Sequence, residues 1–253
     1  MPGYRKTLKK WLSDSYEFLG LVIVSSFIWF GIIIGGVGLI TRIEAHESPV
    51  LLFVSLAAFY VLFIAPLTAG VYLLAKKIVT RDDPSVFDIF RGLREYLAPS
   101  WSLGFAHVLI TLMIAANAWF YLTRGGIALK AVGVLVLYVL ILWGLSAVYH
   151  YPVMIEQRPG TFKTLKRGFL LSLDNFAFTV GVIFAIILLT CLCAVTLLGM
   201  PLIYLGMLSI LQTRALRALF VKYELLPPER EHEPGGEETW TVENKPSDEP
   251  EHS

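Results

Sequence analysis

The sequence predicts an all-α membrane protein with six transmembrane helices in three hairpins. Hydrophobic residues make up 56% of the 253 residues, charged residues make up 16%, and the mean hydropathy is +0.66. Soluble domains have about 45–50% apolar and about 25% charged residues. The apolar residues also occur in long runs, and the basic residues lie almost entirely between alternate runs. These three observations favour a multi-pass membrane protein over a soluble domain.

Six apolar runs are candidates for membrane spans, because a helix needs about 20 residues to cross a hydrocarbon core about 30 Å thick. The first run of 23 residues is longer than the 7–15 apolar residues of a typical signal peptide, and no Ala-x-Ala cleavage site follows it. We therefore expect this run to remain as an anchor. The six runs cover about residues 18–40, 50–75, 102–122, 131–149, 176–198 and 202–221.

The distribution of Lys and Arg predicts the orientation. Eighteen of the 21 basic residues lie in the N-terminal segment, in the second and fourth connections, or at the C-terminal end. The other connections contain only Arg42, Arg124 and Lys130. Because cytoplasmic loops are enriched in Lys and Arg, both termini are predicted to be cytoplasmic, in a bacterial plasma (inner) membrane. The external connections are too short to hold a soluble catalytic domain.

The charge balance divides the chain into two regions. Residues 1–226, the predicted membrane domain, carry 19 basic and 11 acidic residues, whereas residues 227–253 carry 2 basic and 9 acidic residues. The second region is rich in Pro and Gly and has almost no aliphatic residues. Such a composition predicts a disordered, solvated cytoplasmic tail, because it cannot bury enough apolar surface to fold.

The second connection, RDDPSVFDIFRGLREYLAPSW, has the pattern of an amphipathic helix. We expect Asp83 to cap it, Pro84 to occupy its first position, and Pro99 to end it near Leu97. One face is apolar and rich in aromatic residues, which is typical of a helix in the membrane interface. The apolar face comprises Val86, Ile89, Phe90, Leu93, Tyr96 and Leu97.

The fourth connection, RPGTFKTLKRGFLLSLDNF, repeats this pattern, with Pro159 near its start and Thr161 as a candidate cap. Its apolar face comprises Phe162, Leu165, Phe169, Leu173 and Phe176. Two roles remain open for both helices: a collar that meets lipid headgroups, or a docking surface for a partner protein. The candidate lipid or partner surface comprises Phe87, Phe90, Arg91, Arg94, Phe162, Lys166 and Arg167.

The interiors of the spans offer little chemistry. The first five runs contain no Asp, Glu, Lys or Arg, which argues against a proton-coupled or sodium-coupled transporter. His107 and His150 lie toward the same side, so a metal or proton-relay role stays open beside an ordinary interfacial role. Arg214 and Arg217 are expected to extend toward the membrane surface. No protease, hydrolase or P-loop motif occurs, and we therefore predict no enzymatic activity, cofactor, metal or nucleic-acid partner.

Small and helix-bending residues mark predicted packing surfaces within the spans. A Gly-x-x-x-Gly face in the first run allows close approach of another helix, either within the chain or from a second copy. A proline in the second run is expected to free a carbonyl one turn earlier, and an asparagine in the third is expected to bond a neighbouring helix. The predicted packing residues are Gly31, Gly35, Gly38, Pro66, Thr68, Gly70 and Asn117.

Four segments, APLTAGVYLLAKK, SVFDIFRGLREYL, YHYPVMIE and LKRGFLLSLDNF, resemble the YesL family of bacterial integral membrane proteins, which is built around a domain of unknown function. The resemblance covers roughly residues 10–223, and it implies an accessory role beside carbohydrate uptake systems with no catalytic residues to transfer. It is carried by Pro66, Thr68, Gly70, Tyr72, Asp88, Phe90, Tyr151 and Pro152.

Three functional hypotheses follow. The first is a non-enzymatic accessory or scaffold protein that assists a membrane complex, such as a solute (carbohydrate) permease, through its two amphipathic helices. The alternative is a channel or uncoupled transporter for a small solute or lipid. A membrane enzyme is the third; it would need an intramembrane nucleophile or metal site, for which His107 and His150 are the best remaining candidates.

Overall fold

The structure is a computed structural model that describes residues 3–44, 48–124 and 126–227. This part of the chain forms helices and contains no strand. The helices are α1 (Tyr4–Glu17), α2 (Leu19–Glu44), α3 (Pro49–Phe59), α4 (Ala65–Thr80), α5 (Phe87–Glu95), α6 (Leu97–Arg124), α7 (Ile127–Gln157), α8 (Thr161–Asp174), α9 (Phe176–Thr196) and α10 (Leu205–Lys222). Short π-helical turns, Tyr60–Ile64 and Met200–Tyr204, precede α4 and α10.

The predicted number of spans is confirmed. In the part of the chain that the structure describes, six helices are long and apolar enough to cross a membrane, and they cover Leu19–Arg42, Pro49–Thr80, Leu97–Arg124, Ile127–Gln157, Phe176–Thr196 and Met200–Lys222. Several extend beyond their apolar runs, because polar residues at the ends continue the same helices. The predicted acidic tail lies outside the described residues, apart from Pro227.

Three of the helices form the centre of the protein. Helices α4, α7 and α10 contact one another, and α2, α6 and α9 lie around them. The buried core is concentrated on the three inner helices, where Leu74, Tyr149 and Leu216 are at most 1% exposed. The outer helices expose long apolar faces, as expected for helices in contact with lipid.

Small residues let the outer helices approach the inner ones closely. A Cβ atom at Gly206 of α10 would lie 2.7 Å from the carbonyl oxygen of Val22 in α2. The Gly206 amide also donates a hydrogen bond to Ser26 Oγ over 2.9 Å. Likewise, a Cβ atom at Gly104 of α6 would lie 2.8 Å from Ala65 Cβ at the start of α4. These contacts fix α2 and α6 on the inner helices.

Each inner helix carries a short surface helix near its C-terminal end: α1 packs on α10, α5 on α4, and α8 on α7. We call this end of the bundle the charged end, because ion pairs join the three inner helices there. Glu156 of α7 forms ion pairs with Lys76 of α4 at 3.1 Å and with Arg217 of α10 at 2.8 Å.

Helix α1 was not predicted as a helix from the sequence. It is amphipathic, and its inner face comprises Thr7, Trp11, Asp14 and Ser15, all of which are buried. The Trp11 indole donates a hydrogen bond to the Met207 carbonyl oxygen of α10 over 2.8 Å. Only a few apolar residues mark this face, so hydropathy alone does not reveal the helix.

The predicted limits of α5 are wrong at both ends. Asp83 has a positive φ of 41° and lies before the helix, which begins at Phe87. The Asp88 carboxylate instead reaches back and accepts a hydrogen bond from the Ser85 amide over 2.8 Å. Pro99 lies in the first turn of α6, where a missing amide hydrogen costs nothing. The chain therefore bends at Tyr96, between the two helices.

Thr161 does not cap α8. It is the first residue of the helix, Gly160 precedes it as the cap residue, and the Thr161 hydroxyl donates to Ser102 Oγ over 2.8 Å. This hydrogen bond ties the start of α8 to α6.

Pro66 follows the π-helical turn of the second span. A proline cannot bond the carbonyl four residues earlier, which here belongs to Leu62. The Trp101 indole of α6 donates a hydrogen bond to this carbonyl oxygen over 3.1 Å. Nearby, the Trp29 indole donates to Thr68 Oγ1 over 3.0 Å, and the Thr68 hydroxyl donates to the Ile64 carbonyl. Two tryptophans from neighbouring spans therefore form hydrogen bonds around Pro66.

Candidate functional site

The strongest candidate site is the outward surface of α5 and α8 at the charged end. Each of these helices has one face fixed on the bundle and another face that no described residue covers. The residues predicted from the sequence as a lipid or partner surface all lie on the uncovered faces. They are Phe87, Phe90, Arg91, Arg94, Phe162, Lys166 and Arg167, and each side chain is exposed.

The inner face of α5 is fixed tightly on α4. A Cβ atom at Gly92 would lie 2.8 Å from Gly70 Cα, and one at Gly70 would overlap the carbonyl oxygen of Ile89. Ile89 is 0% exposed, and the buried Asp88 carboxylate pairs with Lys77 Nζ over 2.8 Å. This close backbone contact leaves α5 little freedom to rotate or slide.

The outer face of α5 combines aromatic rings with guanidinium groups. Phe87 is 79% exposed and Phe90 is 55% exposed. Arg91 and Arg94 lie on the same side of the helix and are also exposed. The sequence had predicted one continuous apolar face, but the structure divides it, because Ile89 and Tyr96 pack inward while Phe90 points away from α4.

The inner face of α8 is made of small residues, Thr164, Gly168 and Ser172, which are all buried. A Cβ atom at Gly168 would lie 3.0 Å from His150 Nε2 and 3.3 Å from the Ser146 carbonyl oxygen, so α8 approaches α7 closely. Gly92 and Gly168, which occupy matching places in the sequence repeat, therefore both face the preceding inner helix.

The outer face of α8 is part of the predicted apolar face together with its basic border, whereas Leu165 is half-buried against the core and Phe176 belongs to α9. Phe162 is 78% exposed, and Phe169 and Leu173 are also exposed. Lys166 is exposed beside them, and Arg167 is exposed and donates a hydrogen bond to Gln157 Oε1. The exposed aromatic and basic residues on α5 thus have counterparts on α8.

Arg158, the cap residue after α7, joins the end of α7 to α5. Its side chain pairs with Glu95 of α5, its Nε donates to the Tyr96 hydroxyl over 2.9 Å, and its guanidinium carbon lies 4.7 Å from the centre of the Tyr96 ring. Tyr96 is buried, and this burial raises the pKa of its phenol, with a further increase from the charge of Glu156. Tyr96 is therefore neutral at physiological pH and acts as a hydrogen-bonding partner.

A pocket of about 330 Å³ opens between α4, α5 and the end of α7. Four cationic side chains line it, and two acidic side chains, Glu95 and Glu156, pair with three of them. The rim of this pocket has a net positive charge. It adjoins the outer face of α5, since Arg91 lines the pocket and also lies on that face. The charged lining residues are Lys76, Lys77, Arg91, Arg158, Glu95 and Glu156.

The ion pairs beneath this surface were not found from the sequence. Arg214 Nε donates to Asp14 Oδ2 over 2.5 Å, with the two side chains 7% and 3% exposed. The expectation that Arg214 and Arg217 extend to the membrane surface is therefore wrong, since both bind acidic residues within the protein. At the edge, Arg81 pairs with Glu17 over 2.6 Å and lowers the pKa of that carboxyl through the hydrogen bond.

His107 and His150 do meet inside the bundle. His107 Nε2 lies 2.7 Å from His150 Nδ1, and the rings of Trp143 and Tyr151 surround the pair. At this distance the two nitrogens share one hydrogen bond. No group of three or more possible metal-binding residues occurs in the part of the chain that the structure describes.

The remaining predicted packing residues, three glycines of α2 and Asn117 of α6, do not contact a neighbouring helix as predicted. No atom lies within 4 Å of a Cβ placed at Gly31, Gly35 or Gly38, so this face of α2 has no packing partner among the described residues. Asn117 does not bond a neighbouring helix: it is exposed and donates to the Met113 carbonyl of its own helix over 2.7 Å. Its amide is thus satisfied locally.

Comparisons of the chain with protein-family models, curated proteins and solved structures give no match. The geometry offers two exposed aromatic and basic faces that are held rigidly on a multi-pass helical bundle.

Proposed function

We propose that this protein is a non-enzymatic membrane adaptor that docks another membrane complex, such as a solute permease, on the outer faces of α5 and α8. One observation carries the proposal: each helix is fixed on an inner span by a closely packed glycine and presents exposed Phe side chains beside cations on another face. The resemblance to the YesL family, which implies an accessory role beside carbohydrate uptake, agrees with it.

The proposal includes a topology. The six spans form three hairpins in a bacterial plasma (inner) membrane, and the charged end faces the cytoplasm together with both termini. This orientation is supported by the distribution of Lys and Arg, with eighteen in the proposed cytoplasmic segments and three in the external connections. Reporter enzymes fused after Gly160 and after Gly126 test it, since the first should be active only as a cytoplasmic reporter and the second only as an external one.

A docking role explains the rigidity of α5 better than a lipid collar does. Lipids adapt to a helix in any nearby position, so a collar needs no fixed geometry. A protein interface gains affinity when its surface is already ordered, because less conformational freedom is lost on binding. Aromatic residues and Arg, which form the outer face of α5, are also the residues enriched at protein interfaces.

Charge reversal tests the adaptor directly. The quadruple variant Arg91→Glu, Arg94→Glu, Lys166→Glu and Arg167→Glu should lose a partner that co-purifies with the wild-type protein in mild detergent. Arg124→Glu with Lys130→Glu is the control, since both side chains are exposed at the opposite end of the bundle. The control should retain the partner at the wild-type level.

Two results would count against the adaptor. If the protein is recovered alone under several gentle conditions, there is no evidence for a partner, and the lipid collar becomes the favoured role of α5 and α8. Solute flux into vesicles that contain only this protein would support the channel or uncoupled transporter instead.

A further inference from the structure

A second cavity lies apart from the proposed docking surface, between the start of α1 and the junction of α8 with α9. Its volume is about 650 Å³, and it opens where α9 begins its span at Phe176. Cationic, acidic, amide and aromatic groups all contribute to its wall. The lining residues used below are Tyr4, Arg5, Asp174, Asn175, Phe178 and Lys222; we call this cavity the α1–α9 crevice.

The described side chains in the polar half of the crevice have a net charge of +1. Arg5 and Lys222 are both exposed, and neither has a carboxylate partner among the described residues. Lys222 Nζ instead donates to the neutral Asn175 Oδ1 over 2.5 Å. Among the described residues, Asp174 is the one acidic residue of the lining, and it is also exposed. Two uncompensated cations beside one carboxylate match a ligand with a single net negative charge.

The apolar half of the crevice continues along α9 into the span. The Tyr4 hydroxyl donates to the Gly181 carbonyl oxygen over 2.8 Å, and the Tyr4 ring meets the Phe178 ring edge-on, with the ring centres 6.4 Å apart. Phe176, at the mouth, is 51% exposed. These rings form an apolar wall of the same crevice as the cations, at the start of the span formed by α9.

We propose that the α1–α9 crevice binds one glycerophospholipid of net charge −1. Its phosphodiester lies between Arg5 and Lys222, and its acyl chain lies along Phe176 and Phe178. Charge complementarity selects this occupant over a zwitterionic lipid, and the adjoining apolar wall selects it over a free anion. The proposal is independent of the adaptor function, because the crevice shares no residue with the outer faces of α5 and α8.

Native mass spectrometry of the full chain in detergent tests the crevice. We expect one tightly bound phosphatidylglycerol per protein and weaker binding of phosphatidylcholine with the same acyl chains. The variant Arg5→Gln with Lys222→Gln should bind phosphatidylglycerol about 25-fold more weakly, since each cation near a lipid phosphate contributes about fivefold. Lys9→Gln with Lys163→Gln removes two exposed cations outside the crevice and should change the affinity less than about twofold.

Several results would overturn the proposal. Unchanged phosphatidylglycerol binding in the Arg5/Lys222 variant would place the lipid elsewhere, and equal binding of phosphatidylcholine would remove the role of charge. Displacement of the lipid by millimolar inorganic phosphate would make the crevice a soluble-anion site.

Discussion

The contact between α4 and α5 gives the sharpest stability prediction, at Gly70. A Cβ atom there would lie 3.1 Å from the carbonyl carbon and 3.3 Å from the Cα of Ile89, and closer still to its oxygen. Carbon atoms in contact are normally about 3.5–4.0 Å apart, and a backbone group cannot rotate away as a side chain can. Gly70→Ala should therefore push α5 outward. Such overpacking costs about 1–3 kcal/mol, offset in part by the better helix propensity of Ala.

Gly31→Ala is the matched control, because it is the same substitution inside a span and nothing lies within 4 Å of its Cβ. It should be neutral or stabilising by up to about 1 kcal/mol. Thermal unfolding in detergent, followed by loss of tryptophan signal, compares the two variants. If Gly70→Ala unfolds at or above the temperature of Gly31→Ala, the close α4–α5 contact does not exist as described.

Three further predictions concern polar groups. Asp14→Leu should destabilise the protein by about 3–5 kcal/mol in chemical denaturation, because the buried Arg214 guanidinium loses the carboxylate to which it donates, and adding Arg214→Met should restore most of the loss. Trp101→Phe should lower the free energy of unfolding by about 0.5–1.5 kcal/mol, because the Leu62 carbonyl loses a hydrogen bond. This loss should vanish when Pro66→Ala is added, because that substitution supplies an amide that can bond the same carbonyl. Glu17→Gln should lower stability slightly, by well under 1 kcal/mol. This difference should disappear in pH-dependent unfolding as the pH falls through the lowered pKa of Glu17, because the protonated carboxyl no longer favours its arginine partner.

The spans and their number could be predicted from sequence because each depends on a local property, a run of about 20 apolar residues. The outward position of Phe162 could also be predicted, since helical periodicity places it on the apolar face of α8. Local sequence patterns did not predict the burial of a side chain where a tertiary contact determines it. Ile89 and Phe90 are adjacent apolar residues, and only the position of α4 determines that one is buried and the other exposed.

The ion pairs at the charged end were beyond sequence reasoning for a different reason. Asp14 and Arg214 are 200 residues apart, and no local signal connects them. Without its partner, Arg214 resembles any basic residue near the end of a span. Asp14, in turn, looked like part of a hydrophilic N-terminal segment. The buried pair exists because α1 folds onto α10, a contact that hydropathy does not encode.

Site-specific photo-crosslinking in living cells tests the adaptor most directly. A photoreactive amino acid at Phe87, Phe90 or Phe162 should form a crosslink to one and the same membrane protein complex. The same amino acid at Phe184, which is 65% exposed on the outer helix α9, should not crosslink to that complex. Crosslinks only to lipid at all four positions would contradict the adaptor function.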